Sequence, residues 1–149
     1  MKAAIPPRIK LIGVTKKFGF GDAEIAALDA VDLTIEKGEF IAIMGPSGCG
    51  KTTLLNVIGL LDRPSEGQYD LDGTAVDTLT SRQRAKARSK HIGFIFQNFN
   101  LVPRLNVIDN VSLPLTYKGV RKIKRLQEAS RILKTFHLNT REYYMPHQL

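Results

Sequence analysis

The chain has no tryptophan, a single cysteine (Cys49), and aromatic residues at only 7% of its 149 positions. One thiol excludes an internal disulfide and suits a reducing compartment. No stretch approaches the roughly 18 apolar residues of a transmembrane helix, because the longest apolar runs are broken by a glycine-rich segment at Gly45–Gly50. The N-terminus, Met1-Lys2-Ala3-Ala4-Ile5-Pro6-Pro7-Arg8, lacks the apolar centre of a signal peptide. The product is expected to stay in the cytosol or to reach a membrane only by docking. Acidic residues are few, 14 against 22 lysines and arginines, for a formal net charge of +8. That excess ordinarily points to polyanionic partners. Much of it lies in two clusters, Arg82, Arg84, Lys86, Arg88 and Lys90, then Lys118, Arg121, Lys122, Lys124 and Arg125. Neither has the interleaved aromatics of a single-strand nucleic-acid platform. Solvated helix faces are the preferred reading, and an anionic membrane surface the second.

What is present is more telling. Residues Gly45-Pro46-Ser47-Gly48-Cys49-Gly50-Lys51-Thr52 fit the pattern G-x-x-x-x-G-K-[ST], a phosphate-binding loop where a strand precedes it and a helix follows. Glu39-Phe40-Ile41-Ala42-Ile43-Met44 is a short run of strand type. Leu54, Leu55, Ile58 and Leu61 repeat at helical spacing behind the loop. Glycines let successive backbone N–H groups curl around an anion, and the helix start adds unpaired N–H groups and a positive dipole end. Lys51 is placed to reach β- and γ-phosphates, and Thr52 to ligate the Mg²⁺ that rides on them. The chemistry implied is nucleoside triphosphate binding. Cys49, beside a lysine at a helix start, has a setting that favours an acidic thiol. The alternative, that only its small size matters, is preferred because main-chain N–H groups do the loop's work.

Elsewhere, Arg8–Phe18 and Ala30–Ile35 read as strands, the second ending at the turn Glu36-Lys37-Gly38. Gly67–Leu71 is a further short strand, and Thr80 or Ser81 caps a helix reaching about Ser89. Ile92-Gly93-Phe94-Ile95-Phe96 is a buried-type strand delivering Gln97 into a loop. Val107–Leu115 looks helical until Pro114, and Ile123, Leu126, Ile132, Leu133 and Phe136 place an apolar stripe on a second helix. Nothing in Asn139–Leu149 reads as capping a helix or closing a domain.

In their order, the loop Gly45–Thr53, the strand and glutamine Ile92–Gln97, and the run Gln97-Asn98-Phe99-Asn100-Leu101-Val102-Pro103 resemble the ATP-binding subunit of an ABC transporter. Ala27–Leu33, Gly38–Phe40, Gly59–Pro64 and Asn110–Leu115 narrow the resemblance to the branch serving lipoprotein release and macrolide export in bacteria. The resemblance covers essentially all of residues 1–149, as one partial nucleotide-binding domain. It implies an α/β fold of the P-loop NTPase (ABC ATPase) type: an N-terminal antiparallel β subdomain, the start of a helical subdomain, and an incomplete parallel core sheet. In the family, two further strands separate Phe40–Met44 from Ile92–Phe96. Left unpartnered, those two segments are expected to expose a hydrophobic gap and make the chain only marginally stable.

The resemblance implies a site as well. Gly45, Pro46, Ser47, Gly48, Cys49, Gly50, Lys51, Thr52 and Thr53 hold the phosphates of ATP. Phe18 stacks on adenine, where the family more often has tyrosine; the plainer reading of Phe18 is a core residue. Gln97 touches Mg²⁺ through its side-chain oxygen, with Thr52 as the other protein ligand, and its loop meets the transmembrane permease subunit. The plainer reading of Gln97 is a polar residue ending a strand. Phe99 or Leu101 is expected to be partly exposed for that docking.

The family's serine-glycine-glycine-glutamine signature follows the position of Pro146-His147-Gln148-Leu149, and the sequence stops before it. No catalytic residue is expected in this chain, and His91, His137 and His147 read as solvated or structural. The expectation is the ATP-binding portion of a transport ATPase at the cytoplasmic face of the plasma membrane, paired with a second nucleotide-binding subunit. Alone, it is not expected to turn ATP over. The alternative is a nucleic-acid-linked ATPase of the same fold, prompted by the charge; such proteins insert a long coiled coil where Gln97–Leu149 shows two ordinary helices without heptads. A small P-loop kinase leaves Phe18 and Gln97 unexplained. The transported substrate is chosen by membrane subunits and is not written in this sequence.

Overall fold

A computed structural model describes residues 6–149, which divide into two compact units, one running through Ile92 and the other Gly93–Leu149. The expectation about a signal peptide falls largely on residues 1–5, outside the described residues.

The first unit is built on an antiparallel sheet of four strands, β1 (Ile9–Phe18), β2 (Ile25–Ile35), β3 (Glu66–Leu71) and β4 (Thr74–Ala75), in the order β2-β1-β3-β4. Central β1 pairs Leu11 with Leu33 on one side and with Tyr69 on the other. Strict alternation would send Leu11 and Val14 to opposite faces. The register slips between them on both sides of the strand, and both are buried, at 2% and 0% exposure. A bulge at Ile12-Gly13 thus turns the second half of the strand inward, with the Gly13 N–H donating to Asp32 Oδ1 at 2.7 Å.

Leu11, Val14, Leu28, Tyr69, Leu71 and Val76 form one core with Val57 and Leu60, each large apolar side chain contributing about 1.5–3 kcal/mol by burial. Helix α1 (Lys51–Ile58) reaches this core through Leu54, Val57 and Ile58, a face of i, i+3, i+4 spacing. The expected stripe is corrected in part: Leu55 and Leu61 are 54% and 45% exposed, Leu55 because it sits one residue, about a quarter-turn, off the face, and Leu61 because it lies beyond the helix's last residue, Ile58. Helix α2 (Ser81–His91) opens on a capping box. The Gln83 N–H donates to Thr80 Oγ1 at 3.3 Å and the Thr80 N–H to Gln83 Oε1 at 2.9 Å, two orphan donors satisfied reciprocally. No residue of α2 is buried, in keeping with a solvated basic helix.

The expected strands at Glu39–Met44 and Ile92–Phe96 do not form hydrogen-bonded ladders. A strand exists only where a neighbour accepts its backbone groups, and the four sheet strands pair with one another. Phe40, Met44 and Ile95 stand 94%, 88% and 102% exposed. Each segment thus carries exposed apolar side chains, and no parallel pairing is found among the described residues. Phe94 and Phe96 retain strand-like alternation, their rings stacked at 5.6 Å and 7°.

The second unit packs α3 (Val107–Tyr117) against α4 (Lys122–Thr135) through Val107, Ile108, Ala129 and Leu133. Asn106 caps α3, its side chain accepting from the Asp109 N–H at 2.9 Å. Pro114 does not end this helix: it continues to Tyr117, and the Lys118 N–H reaches Pro114 O at 3.3 Å. The predicted α4 stripe is half correct. Leu133 is buried and Leu126 partly so, but Ile123, Ile132 and Phe136 are 76%, 43% and 69% exposed: Ile123 and Ile132 lie off the Leu126–Ala129–Leu133 face on either side, and Phe136 falls just past the helix's last residue, Thr135. The tail reading is also corrected. Glu142 O and Tyr144 O accept from the Ile108 and Val107 N–H groups at 2.9 Å each, so residues 142–144 satisfy the first turn of α3.

Candidate functional site

Between Met44 and α1 the chain turns through Gly45–Gly50, and the last of these glycines seats the loop. Gly50 is the residue before α1, with φ +87°. A Cβ there would lie 2.3 Å from Ala27 O and 3.2 Å from Leu28 Cδ2. The loop therefore rests backbone-on-backbone against β2, in a conformation and at a distance only glycine allows. At the other end, a Cβ on Gly45 would lie 2.7 Å from Cys49 Sγ, so the Cys49 side chain takes the space that Gly45 leaves.

The concavity so formed has a volume of about 360 Å³ and is lined by Ala27, Ser47, Gly48, Gly50, Lys51, Thr52 and Thr53. Within it, the backbone N–H groups of Ser47, Gly48, Gly50, Lys51, Thr52 and Thr53 have no protein acceptor among the described residues; the first capping bond of the helix is Leu54 N–H to Gly50 O at 2.8 Å. Residues bearing six unpaired donors thus line one concavity at the positive end of α1, with no acidic residue in its first turn, an arrangement suited to an anion. Lys51 supplies the charge. Its ammonium donates to Pro46 O at 2.6 Å and Gly45 O at 2.8 Å, and approaches Cys49 Sγ at 3.6 Å. Neutral carbonyls are weaker partners for an ammonium than a phosphate oxygen, so an anion in the concavity would draw this folded-back lysine away from them. Thr52 is exposed at the rim. The residues present fit a phosphate chain. Among the described residues no group of three or more His, Cys, Asp or Glu is placed to hold a metal, so a Mg²⁺ here would ride on phosphate oxygens with few protein ligands, its usual habit.

Phe18 ends β1 and is 48% exposed, with the Lys16 ammonium 5.1 Å from its ring centre. It is neither core nor fully free. Gln97 belongs to the second unit, exposed in the bend after Phe96, with Phe99 at 93% and Leu101 at 37% exposure, as expected for these two. An apolar concavity of about 450 Å³ there is lined by Phe99, Asn100, Leu101, Pro146 and Leu149.

The far end of α1 is fixed by residues that no motif announces. Tyr69, fully buried, donates its hydroxyl to Ile58 O at 2.7 Å; burial pushes its phenol pKa up against the opposing charge of Arg8, so it remains a donor at all ordinary pH. Arg88 donates to Leu60 O at 2.8 Å. Lys16 donates to Asp62 Oδ1 at 2.8 Å and Arg63 O at 2.9 Å. Burial alone would raise the Asp62 carboxyl, but the Lys16 and Arg63 N–H bonds and the Lys16 and Arg84 charges hold it below its ordinary value.

A glycine loop seated on a neighbouring strand and closing onto a helix that begins with lysine is the architecture of phosphate-loop proteins. Comparison with known proteins narrows the class. Residues 28–149 match the family described as ABC transporter, and the chain belongs to that family. It is 43% identical over 141 residues to an uncharacterised ABC transporter ATP-binding protein of Bacillus subtilis, YknY, covering 95% of this chain and 61% of that protein. It is 45% identical over 143 residues to the macrolide export ATP-binding/permease protein MacB of Rhodopirellula baltica, covering 95% of this chain and 21% of that one. Among solved structures, the ATP-binding cassette MJ0796, described as a dimer in a post-hydrolysis state bound to ADP and Pi, superposes with a TM-score of 0.84 at 42% identity, over 95% of this chain and 62% of that chain. The fold is thus that of an ABC ATPase, a mixed α/β arrangement with an antiparallel β subdomain and helices. The chain spans about three fifths of YknY and of the MJ0796 cassette. Among the described residues no helix is long and apolar enough to cross a membrane.

Proposed function

We propose that this chain is the nucleotide-binding portion of an ABC transporter ATPase, taking ATP with Mg²⁺ at Gly45–Thr53 and serving export or lipoprotein release. The observation that carries this reading is the cradle: six unpaired N–H donors and the Lys51 ammonium around one concavity, held by Gly50 against Ala27 O. Lys51 and the loop N–H groups would hold the β- and γ-phosphates, Phe18 would stack on the base, and Thr52 and Gln97 would ligate the Mg²⁺. When bound, that ion neutralises phosphate charge and fixes the γ-phosphate for transfer. Residues 1–149 then form part of one nucleotide-binding domain. The exposed Phe99 and Leu101 beside Gln97 supply apolar contacts for a permease subunit at the cytoplasmic face of the membrane. A second nucleotide-binding subunit is the expected partner, in line with the dimer described for the MJ0796 cassette. ATP hydrolysis coupled to transport is the activity proposed for the whole assembly.

The test is Lys51→Ala. Each charge-assisted hydrogen bond contributes about 1.5–3 kcal/mol, so losing the ammonium should weaken a fluorescent ATP analogue at least tenfold. Equal retention by both forms would sink the reading.

A further inference from the structure

The Lys16 side chain touches two things at once, the aromatic ring that ends β1 and the turn that ends α1. Alternation along β1 puts Lys16 and Phe18 on one face of the strand. The Lys16 ammonium lies 5.1 Å from the Phe18 ring centre. Its side chain is only 13% exposed, with Asp62 Oδ1 at 2.8 Å and Arg63 O at 2.9 Å as partners. The ammonium is therefore tethered, and the ring is half covered, at 48% exposure.

We infer that Lys16 is a positioning residue for the nucleobase: it holds Phe18 from behind and fixes the ring's open face relative to the phosphate cradle. This rests on the proposed role of Phe18 as the base platform.

Three physical consequences follow from the geometry. A ring pinned by a cation loses little further freedom when a base stacks on it, so less ordering opposes binding. The cation draws on the negative potential of the ring face, which eases the face-to-face repulsion that stacked π systems otherwise feel. The same ammonium also grips Asp62 and Arg63, just past the C-terminal end of α1, whose other end opens with Lys51. Base platform and phosphate cradle are thereby tied to the two ends of one eight-residue helix.

A purely structural salt bridge would make a different prediction, because it would alter stability without discriminating between ligands that have a base and ligands that do not. The experiment compares the affinities of ATP and inorganic tripolyphosphate for the wild-type chain and for Lys16→Met, Lys16→Arg and Phe18→Ala, with thermal melts of each. Phe18→Ala should lower the ATP-to-tripolyphosphate affinity ratio about tenfold, toward the lower end of the range for base–aromatic stacking. Lys16→Met should lower it about three- to fivefold, as a cation–π contact on a half-exposed ring warrants, and Lys16→Arg should restore it. The double variant Lys16→Met with Phe18→Ala should be no worse in this ratio than Phe18→Ala alone, since the lysine acts through the ring. A Lys16→Met melt shifted downward with an unchanged ratio overturns the inference and leaves Lys16 a strut. An unchanged ratio in Phe18→Ala overturns the platform reading itself, and the inference with it. If Lys16→Met does not fold, Asp62→Ala leaves the lysine present and removes its charged tether, with only Arg63 O remaining. It must lower the same ratio, and an unchanged ratio there overturns the inference equally.

Discussion

Gly50→Ala tests whether the cradle depends on its seat against β2. The added Cβ would stand 2.3 Å from Ala27 O and 3.2 Å from Leu28 Cδ2. Ordinary contact lies near 3.5 Å, so roughly 1 Å of separation must be found. β2 is poorly placed to yield, because Lys16 pairs with Leu28 and Lys17 with Ala26 across the ladder. The loop must move, or Gly50 must leave its φ of +87°. The left-handed conformation costs a residue with a side chain about 1–2 kcal/mol, and forced overpacking a further 1–3 kcal/mol. Gly48→Ala is the matched control: its φ is +81°, but nothing lies within 4 Å of its added Cβ, so only the first of those terms applies. Urea denaturation should show Gly50→Ala less stable than Gly48→Ala by about 1–3 kcal/mol, and a fluorescent ATP analogue should bind Gly50→Ala at least tenfold more weakly than Gly48→Ala. Equal stability and equal binding of the two variants would refute the close approach as the device that shapes the loop.

Two further changes probe the opposite end of α1. Tyr69→Phe removes the only hydroxyl that reaches Ile58 O among the described residues; a buried carbonyl left without its donor should lower stability by about 1–2 kcal/mol and the melting midpoint by a few degrees, and an unchanged denaturation curve would count against the cap. Asp62 has its folded pKa below the ordinary 3.8, so its contribution is fully present above that pH and is lost as the pH falls through the lower folded value. Asp62→Asn should accordingly be less stable than wild type at pH 7, by about 1 kcal/mol or less because the side chain is 37% exposed and screened by water, with the gap closing under acid; a gap that persists at pH 2 would contradict the assignment.

Much of the first unit was legible because its signals are local. The cap at Thr80, the turn at Lys37-Gly38, β1, β3 and the glycine loop each depend on a few neighbouring residues, whereas β2 begins five residues before the expected Ala30, at Ile25, and β4 at Thr74–Ala75 was not expected. Phe40–Met44 and Ile92–Phe96 have the apolar composition of strands, yet they form no ladder and Phe40, Met44 and Ile95 are exposed. Strand propensity states what a segment can do once a partner is beside it, and the described residues place none there. The α4 stripe failed for a related reason. Counting apolar residues without fixing phase or the helix's end put Ile123 and Ile132 on the face that Ala129 and Leu133 occupy, and counted Phe136, which lies past Thr135. The cap on α3 by Glu142 O and Tyr144 O was invisible because backbone carbonyls have no sequence signature.

The candidate site divides along the same line. The loop and Lys51 announce themselves because an anion cradle needs glycine and a cation at fixed spacing. What seats and braces that cradle comes from positions far apart in the chain: Ala27 O behind Gly50, Tyr69 on Ile58 O, Arg88 on Leu60 O, and Lys16 on Asp62. Of these only Lys16 left a trace, its i, i+2 relation to Phe18 on β1, and even that required knowing which way the strand faces after the bulge at Gly13. The bulge therefore reaches further than the core it fills. By resetting alternation between Leu11 and Val14 it brings Lys16 to the turn that ends α1, and so joins a local irregularity in one strand to the placement of the helix that carries the lysine of the phosphate loop.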